Sequence, residues 1–168
     1  MLKIGSASAE IGDKAQGFIK VGELSGPSEI VIPVLILNGK EDGPVLWING
    51  GVHGDEVNVV MVSRRLAAGL NPGQLKGAVV FTPVCNPLAT QWRHKLNPYD
   101  YLDLDQQFPG DPNGLISQRL AHHLFQEIKA KANYLINFHT AATPYTAPPY
   151  TVYKVVPGGK PGLSEEVE

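Results

Sequence analysis

His53 and Glu56 stand three residues apart in the run Trp47-Ile48-Asn49-Gly50-Gly51-Val52-His53-Gly54-Asp55-Glu56, and His139 follows a second apolar run, Tyr134-Leu135-Ile136-Asn137-Phe138. Two imidazoles and a carboxylate form the ligand set of a catalytic zinc with an open fourth position, where bound water is acidified toward pKa ~7. Alone, His-x-x-Glu is a weak signal. With five His and nine Glu in 168 residues it has about one chance in four of arising by accident. The bland alternatives are a loop histidine bonded to backbone at 53, a helix N-terminal acid favoured by the macrodipole at 56, and a satisfied strand-end histidine at 139. Placement makes the metal an equal alternative for His53 and Glu56, while for His139 alone the strand-end histidine is the better reading: a His at a strand's end and a Glu in the first turn of the next helix can share one ion, and Gly50, Gly51 and Gly54 permit the tight backbone turn between them. This arrangement spends its Glu on the metal, so a separate general base is required.

The elements that must position these residues follow from periodicity. Short β-like runs (Phe18 to Val21, Ile30 to Leu37) among Gly, Ser and Pro close on Asn38-Gly39, a turn signal that predicts an antiparallel opening meander. Val45 to Ile48 is continuously apolar, as in a strand buried on both faces, and Ala78 to Val84 reads the same way. Between them, Asp55 to Ala68 has helical spacing and stops at Gly69. Leu115, Ile116, Leu120, Leu124 and Ile128 predict a helix behind Asp111-Pro112-Asn113-Gly114 that runs to about Lys131, and Tyr134 to Phe138 is the next strand. This strand-helix alternation implies a largely parallel sheet covered by helices, with ligands beyond the carboxyl ends of its strands. The long loop from Asn86 to Gly114 reads as functional or mobile. One domain over 1–156 and a polar tail or linker over 157–168 are expected.

At this length the core needs no disulfide or structural metal, so a metal would serve chemistry. The net charge of -2, the pI near 6.2 and the scattered Lys and Arg offer no footprint for nucleic acid. Cys85 is the single cysteine and reads as a small buried hydrophobe. The N-terminus lacks the apolar core of a signal peptide, although Ala7-Ser8-Ala9 looks like a cleavage site. No stretch approaches the roughly 20 apolar residues that cross a bilayer. A soluble cytoplasmic protein without a membrane partner is expected, with homo-oligomerisation left open. His122 and His123 read as structural helix residues and His94 as a loop histidine.

Four motifs in order, Gly51-Val52-His53-Gly54-Asp55-Glu56, Asn86-Pro87-Leu88-Ala89 leading to Arg93, Asp103-Leu104-Asp105-Gln106-Gln107-Phe108-Pro109-Gly110 and Asn137-Phe138-His139-Thr140, resemble the succinylglutamate desuccinylase/aspartoacylase family. The resemblance runs from about Val45 to Val156. It implies a three-layer α/β/α fold with a mostly parallel mixed sheet, like that of the zinc carboxypeptidases. It also implies one Zn2+ on His53, Glu56 and His139 and hydrolysis of an amide bond in a small N-acylated substrate. Arg93 would polarise the scissile carbonyl, and Asp103 would hold the first histidine by its other ring nitrogen. Tyr145, Tyr150 and Tyr153 follow the third ligand, where the family often places substrate-facing residues.

The chain departs from the family in two places. Where the family has an Asn-Arg pair that clamps the substrate carboxylate, this chain has Asp105 and Gln106, of which Gln lacks the charged fork and Asp would repel a carboxylate. A substrate neutral or cationic at that end is therefore expected. The chain also stops soon after the strand-like Tyr150 to Val156, where the family continues with further strands and the glutamate base. Glu165, Glu166 and Glu168 match no motif. The expectation is the front part of a larger enzyme, able to hold metal but without its base. Competing readings are a metallocarboxypeptidase, weakened by the lost clamp, and a metal-binding module without catalysis.

Overall fold

A computed structural model describes residues 1–142 and 144–152. β1 (Leu2–Ile4) and β2 (Ala7–Ala9) form a small antiparallel hairpin, while β3 (Lys14–Glu23), β4 (Glu29–Asn38), β5 (Glu41–Asn49), β6 (Lys76–Thr82) and β7 (Tyr134–Asn137) form one sheet. Three helices connect them: α1 (Val57–Gly69), the short α2 (Pro87–Trp92) and α3 (Ile116–Lys131). The sheet order is β3-β4-β6-β5-β7, antiparallel from β3 to β6 and parallel among β6, β5 and β7.

Strand periodicity divides the apolar residues between two cores. Along β4, Ile30, Ile32, Val34 and Ile36 share a core with Trp47 of β5 and with Leu120 and Leu124 of α3. On the opposite face Leu37 joins Ile48, Phe81 and Ala67 of α1. Helices therefore cover both faces, which makes three layers, α/β/α, around a mixed sheet. At the centre the Trp47 indole donates to Thr82 Oγ1 at 2.9 Å, and the Thr82 hydroxyl donates to Asn49 Oδ1. This buried polar chain ties β5 to β6 where the site begins.

Several local expectations are corrected. The Asn38-Gly39 turn makes no hairpin with the strand that follows, because β6 inserts between β4 and β5. Ala7-Ser8-Ala9, already without the apolar core of a signal peptide, is β2, with Ala7 and Ala9 buried against the main core. The Asn86 to Gly114 loop holds α2, whose N-terminus Asn86 caps by accepting from Ala89 N at 3.1 Å, and a single turn over Leu104–Gln106. Helix α1 starts at Val57 rather than Asp55, since the backbone at Glu56 is not helical (φ -90°, ψ 53°), and the Glu56 side chain makes no cap hydrogen bond. The cap of α3 comes from far away: Asp100 accepts from Ser117 N at 2.7 Å and from Ser117 Oγ at 2.9 Å. Strand β7 is an edge strand among the described residues, with Leu135 and Ile136 about half exposed. Tyr150, Thr151 and Val152 have no regular structure, and the remainder of the expected strand, 153–156, lies outside the described residues together with the 157–168 tail. No helix among the described residues is long and apolar enough to cross a membrane.

Gly54 shows how tightly the loops are packed. Its N–H donates to His94 O at 3.0 Å, and a Cβ there would be driven into the Ala89 carbonyl. Gly54→Ala is expected to cost about 3 kcal/mol. Gly69→Ala, where an added methyl meets nothing within 4 Å, should gain about 0.5 kcal/mol. Urea unfolding measures both, and equal midpoints for the two variants would contradict this packing.

Candidate metal centre

The parallel register builds the site. Asn49 pairs with Thr82 on one side and with Asn137 on the other, so β5 and β7 end level at the same edge of the sheet. Phe138 N donates to Asn49 O at 3.0 Å, which extends that alignment one residue beyond β7 and delivers His139. From β5 the chain turns through Gly51, at φ +57°, a backbone state that favours glycine, and reaches His53 before α1 begins. Glu56 occupies the position before the first helical residue.

His53, Glu56 and His139 converge, each offering one ligand atom with all three atoms within 4.8 Å of one another. His53 Nδ1 lies 2.9 Å from Glu56 Oε1, and His139 Nδ1 lies 3.0 Å from Glu56 Oε2. The two imidazole rings are tilted by 58° with centroids 4.9 Å apart. Glu56 Oε2 is buried yet has no hydrogen bond among the described residues, because the nearby His139 nitrogen approaches it without hydrogen-bond direction. A buried carboxylate oxygen left in this state is costly, and a cation shared with the two Nδ1 atoms would satisfy it. The donor set of two imidazoles and one carboxylate fits zinc.

Charge follows geometry. Burial pushes the Glu56 carboxyl up, but the close approach of His139 and His53 outweighs burial and brings it down to about 2. The hydrogen bond to Glu56 raises His53 above its ordinary 6.5 against the opposing effect of burial, with Asp103 adding to the rise. Behind His53, Asp103 Oδ1 lies 3.0 Å from Nε2 and also accepts from Asp105 N at 3.1 Å. Asp103 is thus both a turn cap and a support for the first histidine. Lys95 completes this side, with Nζ 3.0 Å from Asp103 Oδ2. Burial raises the Asp103 carboxyl, but Lys95 leads the groups that hold it below its ordinary value.

Arg93 is exposed at the C-terminus of α2 in the left-handed region, φ +49°, and its guanidinium has no hydrogen bond or ion pair among the described residues. Its neighbour His94 is fastened to Gly54, so the backbone beside Arg93 runs along the loop that carries His53. Asp105 and Gln106 are exposed on the turn after Asp103. His122 and His123 meet edge to face at 5.4 Å on α3 and take no part in the ligand cluster. Cys85 is buried, its thiol pushed up to about 12 by desolvation, which leaves it un-ionised. Tyr145 and Tyr150 are exposed, and Tyr153 lies outside the described residues. Lys95 and Asn137 contact this centre without having been singled out from sequence. Lys95 carries no spacing signal. Asn137 does, since residues two apart on a strand share a face and it precedes His139 by two.

Two histidines and a glutamate carried to the carboxyl ends of parallel strands in an α/β/α sandwich form a cluster that could hold a metal ion, in the crevice where such sheets bind ligands. A model of the succinylglutamate desuccinylase/aspartoacylase catalytic domain matches residues 42–158, and the chain belongs to that family. It is 24% identical over 143 residues to the N-alpha-acetyl-L-2,4-diaminobutyric acid deacetylase of Halomonas elongata, a match covering 83% of this chain and 42% of the relative. A succinylglutamate desuccinylase/aspartoacylase structure from Rhodobacter sphaeroides superposes with a TM-score of 0.70 at 34% identity, covering 77% of this chain and 40% of that one. An aspartoacylase family protein from Mesorhizobium loti also superposes at 0.70, with 25% identity, 83% of this chain and 45% of its own covered. The chain thus spans less than half the length of these relatives.

A metal ion binding here would compete with the proton that His53 takes up on acidification, and the raised pKa means that proton is bound at higher pH than on an ordinary imidazole. Zinc affinity should therefore begin to fall with acidification while the pH is still above 6.5. Chelator competition across that range measures it, and affinity flat from neutrality down to about pH 6 would refute the expectation.

Proposed function

We propose that the protein is a zinc-dependent hydrolase that cleaves the amide bond of a small N-acylated substrate. The observation that carries this reading is the Glu56 carboxylate set between His53 and His139, with one buried oxygen left without a hydrogen bond. Bound by His53, Glu56 and His139, zinc would supply Lewis acidity and an acidified water at neutral pH. Family membership supports the deacylase class, and the Halomonas relative is by its name a deacetylase of an N-acetylated diamino acid.

The chain's own residues divide the remaining work. Arg93 stabilises the oxyanion that develops as the carbonyl is attacked, a role that suits a planar, always charged guanidinium. Asp103 keeps the Nε2 proton of His53, which leaves Nδ1 free as a ligand. Asp105 and Gln106 favour substrates that are neutral or cationic where relatives would hold a carboxylate. The group that takes the proton of water lies outside the residues assigned here.

The test uses the protein's full chain. His53→Ala and His139→Ala should lose bound zinc in metal analysis together with activity, and unchanged zinc content in both would remove the site. With zinc retained, Arg93→Ala should lower kcat by about 10²- to 10³-fold. N-acyl amines and N-acyl amino-acid amides should be turned over faster than the free N-acyl amino acids. The reverse order would discard the substrate reading, and a zinc-loaded protein inert on all of them would favour a binding module.

A further inference from the structure

The two histidines are supported from behind by different groups. His53 has the Asp103 carboxylate at its Nε2. At His139 the corresponding nitrogen, Nε2, meets the side-chain amide of Asn137 at 2.9 Å. Both imidazoles turn Nδ1 toward Glu56, so Nδ1 is the ligand atom of each. A neutral imidazole that ligates through Nδ1 must carry its proton on Nε2 and needs an acceptor there. With the amide nitrogen of Asn137 facing Nε2, the His139 proton would have to sit on Nδ1, where Glu56 Oε2 receives no hydrogen bond. The oxygen and nitrogen of an amide are interchangeable in position, and the hydrogen-bond network decides between them.

We infer that Asn137 is a positioning residue for the third metal ligand, with Oδ1 accepting the Nε2 proton of His139 and so holding the ring with Nδ1 toward the metal. The inference rests on the zinc reading above. Asn137 is well placed to hold the ring, since it closes β7, its backbone is fixed in register with Asn49, and its exposed side chain has no packing role that the fold requires. The two supports also differ in charge. An anion backs His53, and that anion is itself paired with Lys95, whereas a neutral amide backs His139. A neutral acceptor adds no second uncompensated carboxylate beside Glu56.

The test compares wild type, Asn137→Leu and Asn137→Asp as full chains, with zinc dissociation constants measured by competition against a chromophoric chelator and thermal unfolding measured without metal. Asn137→Leu, which has no acceptor, should bind zinc about 10-fold or more weakly. Asn137→Asp, which can only accept, should bind at least as tightly as wild type. Metal-free melting temperatures should agree among the three. Unchanged zinc affinity in Asn137→Leu, or an Asn137→Asp as weak as Asn137→Leu, overturns the inference while leaving the zinc reading intact. A wild-type chain that binds no zinc overturns both.

Discussion

The parallel alignment of β5 with β6 on one side and β7 on the other is the constraint on which the rest depends. A parallel pair cannot be closed by a tight turn, so each partner of β5 is reached through a crossover that must contain a helix or its equivalent. Those crossovers place α1 on one face of the sheet and α3 on the other. They also ensure that β5 and β7 run in the same direction and finish at the same edge, where a ligand at the end of one can meet a ligand at the end of the other. A slip of one residue between β5 and β7 would turn the side chains of β7 to the opposite face and displace His139. The Trp47–Thr82–Asn49 chain opposes movement on the β6 side, since shifting it would strand buried polar atoms.

Electrostatics makes the centre unsuited to stand empty of positive charge. Glu56 is buried, and a buried carboxylate is tolerated only when its charge is answered. The His53 imidazole answers it in part, through its hydrogen bond to Oε1, and a divalent cation held by Glu56 and the two imidazoles would answer it fully. The carboxylate of Asp103 sits a ring's width further out, kept ionised by Lys95. Charge thus alternates outward from the centre: cation site, imidazole, carboxylate, ammonium. Removing any member leaves its neighbour with an unmatched charge, which is why residues such as Lys95 belong to the centre although half exposed.

The segment between α2 and α3 belongs to the scaffold of the site. His94 is bonded to Gly54, Asp100 caps α3, and Asp103 holds His53, so three anchors fix it, two to the loop between β5 and α1 and one to α3. Arg93 adopts a left-handed conformation at the start of this segment, an arrangement that is unfavourable for a side-chain-bearing residue unless neighbouring contacts enforce it. The bond to Gly54 immediately after it is one such contact.

Much of this architecture is legible in the amino-acid sequence. Continuous apolar runs for β5 and β6, helical spacing for α1 and α3, and glycines around His53 are local properties, and local periodicity and backbone freedom register them directly. The identities of His53, Glu56, His139 and Asp103 follow from residue chemistry and from the order of four motifs. What the sequence hides depends on pairs distant in the chain. The insertion of β6 between β4 and β5 is a choice of partners that the Asn38-Gly39 turn does not encode. The cap on α3 comes from Asp100, not from the nearby Asp111, because a hydrogen bond follows proximity in space. Lys95 enters the site for the same reason, since only the folded chain brings its ammonium against Asp103, whereas the two-residue spacing of Asn137 from His139 is a local signal.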